Sequence, residues 1–267
     1  MKNYEEINHF VLTRFSNKAF DKRFEDKILD VKYLKKRLEL FKSKCYYSLQ
    51  SQSNLNFHHI ILVHNLIPDE IYNELKKLNV HVVKSHEYQN GLNNYLYDNF
   101  DFEKCKYFIT TRIDDDDMLY KNAINDIQKS FDKNVIIKFF GFKNGVTMDS
   151  KNKCMLFSSN YGGKGMIALG FSLIVNFNKL GYVDFNIHCG DHTRVRNKFL
   201  DKYNKDNILG LNDMYLKSTM FWECKENKFP SFIYYRHTES HSFKSNFVHF
   251  TKNEVPYKVV EEKFKLK

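Results

Sequence analysis

Four consecutive aspartates, residues 114–117, are the part of the sequence best suited to carry out chemistry. They follow the apolar segment Lys106–Ile113 (KYFITTRI), which is typical of a buried strand. Adjacent carboxylates repel one another unless a cation or a set of hydrogen-bond donors offsets their charge. In an extended backbone Asp114 and Asp116 project to the same side, so their oxygens can reach one Mg²⁺ or Mn²⁺ ion. The alternative is a solvated acidic turn that caps a helix beginning near Leu119.

Strands and helices alternate in the sequence before this acidic segment and must position it. Short apolar runs predict strands over residues 9–15, 58–65, 80–83 and 106–113. Helical spacing of apolar residues predicts helices over residues 24–41, 68–78 and 92–100. This alternation predicts an α/β fold in which helices flank a mostly parallel central sheet, with ligands at the carboxyl ends of the strands.

The second half of the chain has a different pattern, rich in β-branched and aromatic residues. Strands are predicted over residues 135–142, 147–157, 166–175 and 231–236, the last of these being the final element, and a helix over residues 191–203. No internal repeat, linker or low-complexity segment interrupts the sequence. We therefore expect a single domain over residues 1–267 with two functional halves, about 1–117 and 118–267.

Composition and charge exclude several classes of protein. The 267 residues are 42% hydrophobic and 16% aromatic, which indicates a globular chain and argues against intrinsic disorder. The 42 basic and 32 acidic residues give a net charge of +10, which by itself would suit a polyanionic partner. The lysines are spread along the chain without forming a stripe, so no nucleic acid is expected to bind. The five cysteines are far apart and form no CxxC pair, so neither disulfides nor a zinc site are predicted.

The hydropathy pattern predicts a soluble, cytoplasmic protein. No stretch approaches the roughly 18 apolar residues of a membrane span, and the start, MKNYEEINHF, lacks the apolar core of a signal peptide. The lysine-rich segment Lys258–Lys267 weakly favours peripheral contact with the inner face of a membrane.

The acidic segment also carries a resemblance to known enzymes. Residues 111–119 (TRIDDDDML) resemble the strand and DxD segment of GT-A glycosyltransferases, and the TRxDDDD form resembles the rhamnosyltransferase family of bacterial and viral polysaccharide loci. Residues 13–15 (TRF) are similar to the first strand of that family. Residues 235–237 (YRH), with Ser240 and Ser242, resemble its carboxyl-terminal RH…S segment.

This resemblance implies a GT-A-like (Rossmann-like) fold with a nucleotide-sugar-binding first half and a β-rich acceptor and catalytic second half. It implies that Asp114 and Asp116 hold Mn²⁺ or Mg²⁺ against the diphosphate of a nucleotide-sugar donor. His237 is either a metal or phosphate contact or a structural histidine, and His241 is the weaker candidate. The residues expected to contact the donor are Thr13, Arg14, Arg112, Asp115 and Arg236.

A sugar transfer also needs a base to remove a proton from the acceptor hydroxyl. Asp191 is the candidate, because it follows Gly190 at the start of a predicted helix, where inverting GT-A enzymes resemble one another in placing an acidic residue. The alternative is that Asp191 is the N-cap of that helix. Asp184 and Glu223 are the other candidates for the base.

Three functions are compatible with these features. The first is a metal-dependent, inverting glycosyltransferase that moves a sugar, rhamnose or another hexose, to a polysaccharide or a lipid-linked glycan. The second is a metal-dependent phosphotransferase or hydrolase that uses the same aspartates, although such sites usually draw carboxylates from several separated strands. The third is a basic binding module without catalysis.

Overall fold

The structure is a computed structural model that describes residues 6–16, 27–84, 90–132, 134–158, 169–176, 186–187, 220–236 and 250–266. The strands are β1 (Ile7–Ser16), β2 (His58–Val63), β3 (His81–Lys84), β4 (Tyr107–Asp114), β5 (Met118–Leu119), β6 (Ile137–Phe142), β7 (Asn144–Asp149), β8 (Cys154–Ser158), β9 (Phe171–Asn176), β10 (Met220–Lys225), β11 (Phe232–Arg236) and β12 (Phe250–Glu254). The helices are α1 (Val31–Phe41), α2 (Tyr47–Gln50), α3 (Asp69–Lys76), α4 (Asn90–Asn99), α5 (Ala123–Lys129) and α6 (Tyr257–Phe264).

The central sheet has seven strands in the order β10-β6-β9-β4-β1-β2-β3. Strands β4, β1, β2 and β3 are parallel to one another, and β10 is parallel to β6. Strand β9 is antiparallel to both of its neighbours, β4 and β6. The predicted α/β fold with helices around a mostly parallel central sheet is confirmed.

A smaller sheet of five strands, in the order β12-β8-β7-β11-β5, belongs to the second half of the chain. Strand β5 follows β4 after only three residues and pairs with β11, so the chain passes from the central sheet to the smaller one directly after β4. The aspartates at residues 114–117 lie at this passage.

The two faces of the central sheet are covered by different helices. Alternation along β1 directs Val11 into a core with residues of α1, α2, α3 and α5, while Phe10 and Leu12 face a second core that includes residues of α4. The side chains of Phe10, Val11 and Leu12 are fully buried. In the part of the chain that the structure describes, helices therefore lie on both faces of the sheet, and the ends of the strands are the places left for a ligand site.

The helix after β1 begins later than its apolar pattern indicates. We predicted a helix over residues 24–41, whereas α1 starts at Val31 and residues 27–29 form a turn. Asp30 is the N-cap, and its Oδ1 accepts a hydrogen bond of 2.6 Å from the backbone N–H of Tyr33. This capping contact, which satisfies an otherwise unpaired backbone donor, fixes the start of the helix.

Three further predictions about the elements are wrong. The strand predicted over residues 147–157 is a hairpin of β7 and β8, and the helix expected near Leu119 is replaced by β5, with α5 beginning only at Ala123. The strand over residues 231–236 is not the last element, because β12 and α6 follow it. The predicted helix over residues 191–203 lies outside the described residues.

Candidate functional site

The four aspartates form a turn, which we call the acid turn, at the carboxyl end of β4. Asp114 is the last residue of β4, and its carbonyl oxygen accepts a hydrogen bond of 3.2 Å from the backbone N–H of Asp117. The backbone therefore reverses between these residues, and the extended conformation assumed from the sequence is wrong here. As a result, the four carboxylates have four different environments.

Asp114 lies between two arginines. Arg14 of β1 is its register partner across the parallel pair, and Arg14 Nη2 is 3.4 Å from Asp114 Oδ1. Arg112 Nη2 is 3.3 Å from the same oxygen. Arg112 and Asp114 are two residues apart on β4 and so share a face of the sheet. Arg14 and Arg112, which the sequence predicts to contact the nucleotide-sugar donor, thus lie next to Asp114, the predicted metal ligand.

Asp115 and Asp116 are both bound by one guanidinium, that of Arg37 on α1. Arg37 contacts both oxygens of Asp115, with Nε 3.0 Å from Oδ2, and its Nη1 is 3.2 Å from Asp116 Oδ2. Burial alone would lower the pKa of Arg37, but the charges of Asp115 and Asp116 outweigh it and raise that pKa. Burial raises the pKa of Asp115, and contact with Arg37 opposes this shift. Arg37 therefore offsets the repulsion within the turn.

Asp117 is fully buried and connects the acid turn to the smaller sheet. Its Oδ1 accepts a hydrogen bond of 3.0 Å from the backbone N–H of Tyr235 on β11, and its Oδ2 has no hydrogen-bond partner among the residues that the structure describes. Burial, followed by the charges of Asp116 and Asp114, raises the pKa of Asp117 well above its usual range. Asp117 therefore links the acid turn to β11 through a carboxyl group that is closed to solvent.

The helical segment from α1 to α2 supports the residues that follow the acid turn. The backbone N–H of Leu119 donates to Ser48 Oγ at 3.3 Å. Gln52 Nε2 donates to the carbonyl oxygen of Tyr120 at 2.9 Å, and Gln52 Oε1 accepts from the N–H of Ile124 at 3.1 Å. Arg37 and Ser48 belong to this helical segment and Gln52 lies two residues after it, so one continuous stretch of chain contacts both the acid turn and the residues beyond it.

The remaining predicted site residues are placed differently. The side chain of Thr13 is buried, and its Oγ1 is 3.0 Å from His59 Nε2 and 3.6 Å from Cys45 Sγ. It therefore lies in the core and does not line an open pocket, contrary to the expected contact with the nucleotide. Arg236 is the last residue of β11. It directly follows Tyr235, whose backbone N–H donates to Asp117 of the acid turn. Asp191, Asp184, His237 and His241 lie outside the described residues.

The carboxylates of the acid turn differ in how well they could bind a divalent cation. The exposed fraction of the side chain is 33% for Asp114, 12% for Asp116 and 5% for Asp115. Arg37 occupies both oxygens of Asp115 but contacts Asp116 through Oδ2. Carboxylate oxygens suit Mg²⁺ and Mn²⁺, so Asp114 and Asp116 fit such an ion best. Among the described residues, no group of three or more His, Cys, Asp or Glu side chains is arranged to hold a metal.

Comparison with known proteins relates this arrangement to a family. A family profile described as "Putative rhamnosyl transferase" matches residues 11–156, more than half of the chain. The chain belongs to this family of glycosyltransferases. The matched segment includes residues 11–16 of β1, the whole acid turn and Arg37, and it confirms the resemblance found in the sequence.

Other comparisons give more distant similarity or none. The structure of S. aureus TarS residues 1–349 matches with a TM-score of 0.41 at 10% identity, over 85% of this chain and 60% of that TarS segment. A cytidylyltransferase from Leptospira borgpetersenii serovar Hardjo-bovis matches with a TM-score of 0.40 at 12% identity, over 84% of this chain and 78% of that protein. The search of curated proteins gives no match.

Arg37 is the residue of the site that the sequence analysis missed. It is 78 residues from Asp115 along the chain and belongs to a helix predicted only from its apolar spacing. One indirect signal was present: four adjacent carboxylates need donors, and a buried arginine can supply several from one planar group. In the rhamnosyl transferase family member described here, that group comes from α1.

Proposed function

We propose that this protein transfers a sugar, rhamnose or another hexose, from a nucleoside-diphosphate sugar to a hydroxyl group of a polysaccharide or a lipid-linked glycan. The family match supports the class of reaction. The observation that carries the proposal is the acid turn at the carboxyl end of β4, with Asp114 one-third exposed between Arg14 and Arg112. Carboxyl ends of parallel strands are where α/β proteins bind their ligands.

The leaving group of this reaction is a nucleoside diphosphate, whose charge must be offset. When bound, Mg²⁺ or Mn²⁺ at Asp114 and Asp116 would neutralise charge on the diphosphate oxygens. Arg14 and Arg112 supply guanidinium donors next to the same carboxylate and are assigned to the phosphate oxygens. Arg236 at the end of β11 is assigned to the same role from the other sheet.

The residue roles proposed for the acceptor side of the reaction are based on the sequence resemblance to the family. Asp191 is proposed as the base that removes the proton from the acceptor hydroxyl, which makes the reaction inverting. His237 is proposed as a further contact to the metal or the phosphates. No helix in the described part of the chain has the length and apolar character needed to span a membrane. We propose action in the cytoplasm, with the basic residues of Lys258–Lys267 in peripheral contact with a membrane that carries the acceptor.

The proposal is tested by a thermal-shift panel of UDP, dTDP, GDP and CMP, each with and without Mn²⁺. A ligand at about 100 times its dissociation constant should stabilise the protein by roughly 2.7 kcal/mol. One nucleotide should raise the Tm of the wild type only with Mn²⁺, and Asp116→Asn should lose that response. Asp98→Asn, an exposed residue of α4, is the matched control and should keep it. If Mn²⁺ alone stabilises the protein and no nucleotide adds to it, the metal-dependent hydrolase is the better description.

A further inference from the structure

The cationic side chains near the acid turn are of two kinds. Arg14, Arg37 and Arg112 each contact an aspartate of the turn. Lys44, in contrast, forms no ion pair within the part of the chain that the structure describes. Its Nζ lies 4.8 Å from the centroid of the Tyr235 ring, a cation–π contact. No carboxylate of the described residues therefore forms an ion pair with the Lys44 ammonium group.

The backbone holds Lys44 next to the site. Lys44 lies in a five-residue π-helical segment, Lys42–Tyr46, between α1 and α2. Such segments change the register of a helix and are frequent at functional sites. Tyr235, over which Lys44 lies, is the residue whose backbone N–H donates to Asp117. The ammonium group is thus separated from the acid turn by one residue of β11, on the side of the smaller sheet.

The environment of Lys44 disfavours a charge without a counter-ion. Its side chain is half-buried, and burial lowers its pKa without an opposing carboxylate. The adjacent Lys42 differs, because its Nζ is 3.4 Å from Glu74 Oε2 and 3.9 Å from Glu39 Oε1. The Tyr235 ring compensates only part of the cost of removing an ammonium ion from water. An anion that reaches Lys44 from the site would compensate the rest.

We propose that Lys44 binds a phosphate group of the substrate beside the Tyr235 ring. This inference rests on the proposed function, which brings phosphate to this end of β4. The phosphate belongs either to the diphosphate of the donor or to a phosphate ester of the acceptor. Lysine binds phosphate as a point charge and needs no fixed geometry from its neighbours, which suits a side chain held only by ring contact.

The test compares Lys44→Met with Lys44→Arg and with the control Lys42→Met. Methionine keeps an unbranched apolar stem against Tyr235 but removes the charge, and Lys44→Gln is a second neutral variant in case methionine impairs folding. Isothermal titration measures binding of UDP, dTDP, GDP and CMP with Mn²⁺, of the matching nucleosides without phosphate, and of glycerol 3-phosphate. Each titration is repeated at two salt concentrations, because loss of a phosphate contact reduces the salt dependence of binding.

The outcomes separate the two sources of phosphate. Lys44 contacts the donor if Lys44→Met binds the nucleoside diphosphate about tenfold more weakly than the wild type. In that case, binding of the nucleoside should be unchanged and Lys44→Arg should recover the affinity for the diphosphate. A similar loss confined to glycerol 3-phosphate assigns it to the acceptor. Wild-type affinity for both probes in the neutral variants overturns the inference and leaves the proposed function intact. A wild type that binds no nucleotide and no glycerol 3-phosphate overturns both.

Discussion

Arg14 and Asp114 are register partners across the parallel strands β1 and β4, with Arg14 Nη2 3.4 Å from Asp114 Oδ1. The guanidinium of Arg112 contacts the same oxygen at 3.3 Å. The two contacts orient the Asp114 carboxylate from two strands, although a third of its side chain is exposed to solvent. Asp114 is therefore the carboxylate of the acid turn that is both oriented and accessible.

Asp114→Asn is expected to abolish nucleotide stabilisation that depends on Mn²⁺. The amide keeps the shape of the side chain but binds a hard cation less strongly than a carboxylate. The Tm without ligand should change little, because partly exposed ion pairs contribute about 1 kcal/mol or less. Thermal shift with the tightest nucleotide, with and without Mn²⁺, measures both effects. A full response to Mn²⁺ in this variant would exclude Asp114 as a ligand.

Arg37→Met is expected to destabilise the protein by about 3–5 kcal/mol, because it leaves two buried carboxylates without their partner. The double variant Arg37→Met with Asp115→Leu should recover part of this loss, since one unpaired charge is removed. Urea denaturation of both variants, with Lys42→Met as a surface control, measures the free energy of unfolding. Equal stability of Arg37→Met and the wild type would mean that the guanidinium does not offset the charges of the acid turn.

The place of the acid turn could be predicted from the sequence, whereas its internal contacts could not. The apolar run before Asp114 indicates a buried strand, and acids directly after a parallel strand must lie at the ligand-binding end of the sheet. The contact of Arg37 with Asp115 spans 78 residues and leaves no local pattern. The burial of Thr13 likewise depends on His59 and Cys45, which lie on other elements.

The missed turn between β7 and β8 is a different case, because its signal was present in the sequence. Asp149 Oδ1 accepts hydrogen bonds from the backbone N–H groups of Lys151 and Lys153 at 2.8 and 2.9 Å. Asn152 has a φ of 60°, in the left-handed region that asparagine tolerates. Asp and Asn in the segment DSKNK are typical of turns, and this chemistry outweighs the β-rich composition on either side.

A buried hydrogen-bond network fixes the protonation state of His9. Gln128 Nε2 donates to His9 Nδ1 at 3.2 Å, so His9 Nε2 carries the proton and donates to Thr111 Oγ1 at 2.8 Å. Thr111 Oγ1 is 2.6 Å from Ser172 Oγ, which donates to the carbonyl oxygen of Gly170 at 3.1 Å. A second proton on Nδ1 would face an N–H group, so this histidine stays neutral in the folded protein.

The buried His9 and His59 are therefore expected to lower the free energy of unfolding as the pH drops below about 6.5, whereas the raised pKa values of Asp115 and Asp117 act in the opposite direction. Burial, with a smaller effect of His58, lowers the pKa of His9 from 6.5 to about 3, and burial with a smaller effect of His81 does the same for His59. The unfolded chain takes up these protons below pH 6.5 and the folded chain only near pH 3, so each group costs roughly 1 kcal/mol per pH unit in that window. Urea denaturation at pH 7, 6 and 5 measures the slope.

His9→Gln serves as the control for this slope. The variant removes one titrating group, so its stability should be lower than that of the wild type at pH 7, and this difference should shrink by roughly 1 kcal/mol per pH unit towards pH 5. A pH slope equal to that of the wild type would show that His9 does not contribute to the pH dependence of stability.

Gly145→Ala is expected to destabilise the protein and to weaken the nucleotide response together. A Cβ atom at residue 145 would overlap with the ring of Phe232, which is fully buried on β11. Overpacking of this kind costs typically 1–3 kcal/mol, and relief requires that β11 move. Because β11 also carries the Tyr235 N–H that bonds to Asp117, such a movement displaces the acid turn.

Adding Phe232→Leu to Gly145→Ala makes room for the methyl group and should restore both Tm and the Mn²⁺-dependent nucleotide shift. If the double variant recovers stability but not the nucleotide shift, the link from β11 through Asp117 to the site is not the cause of the loss.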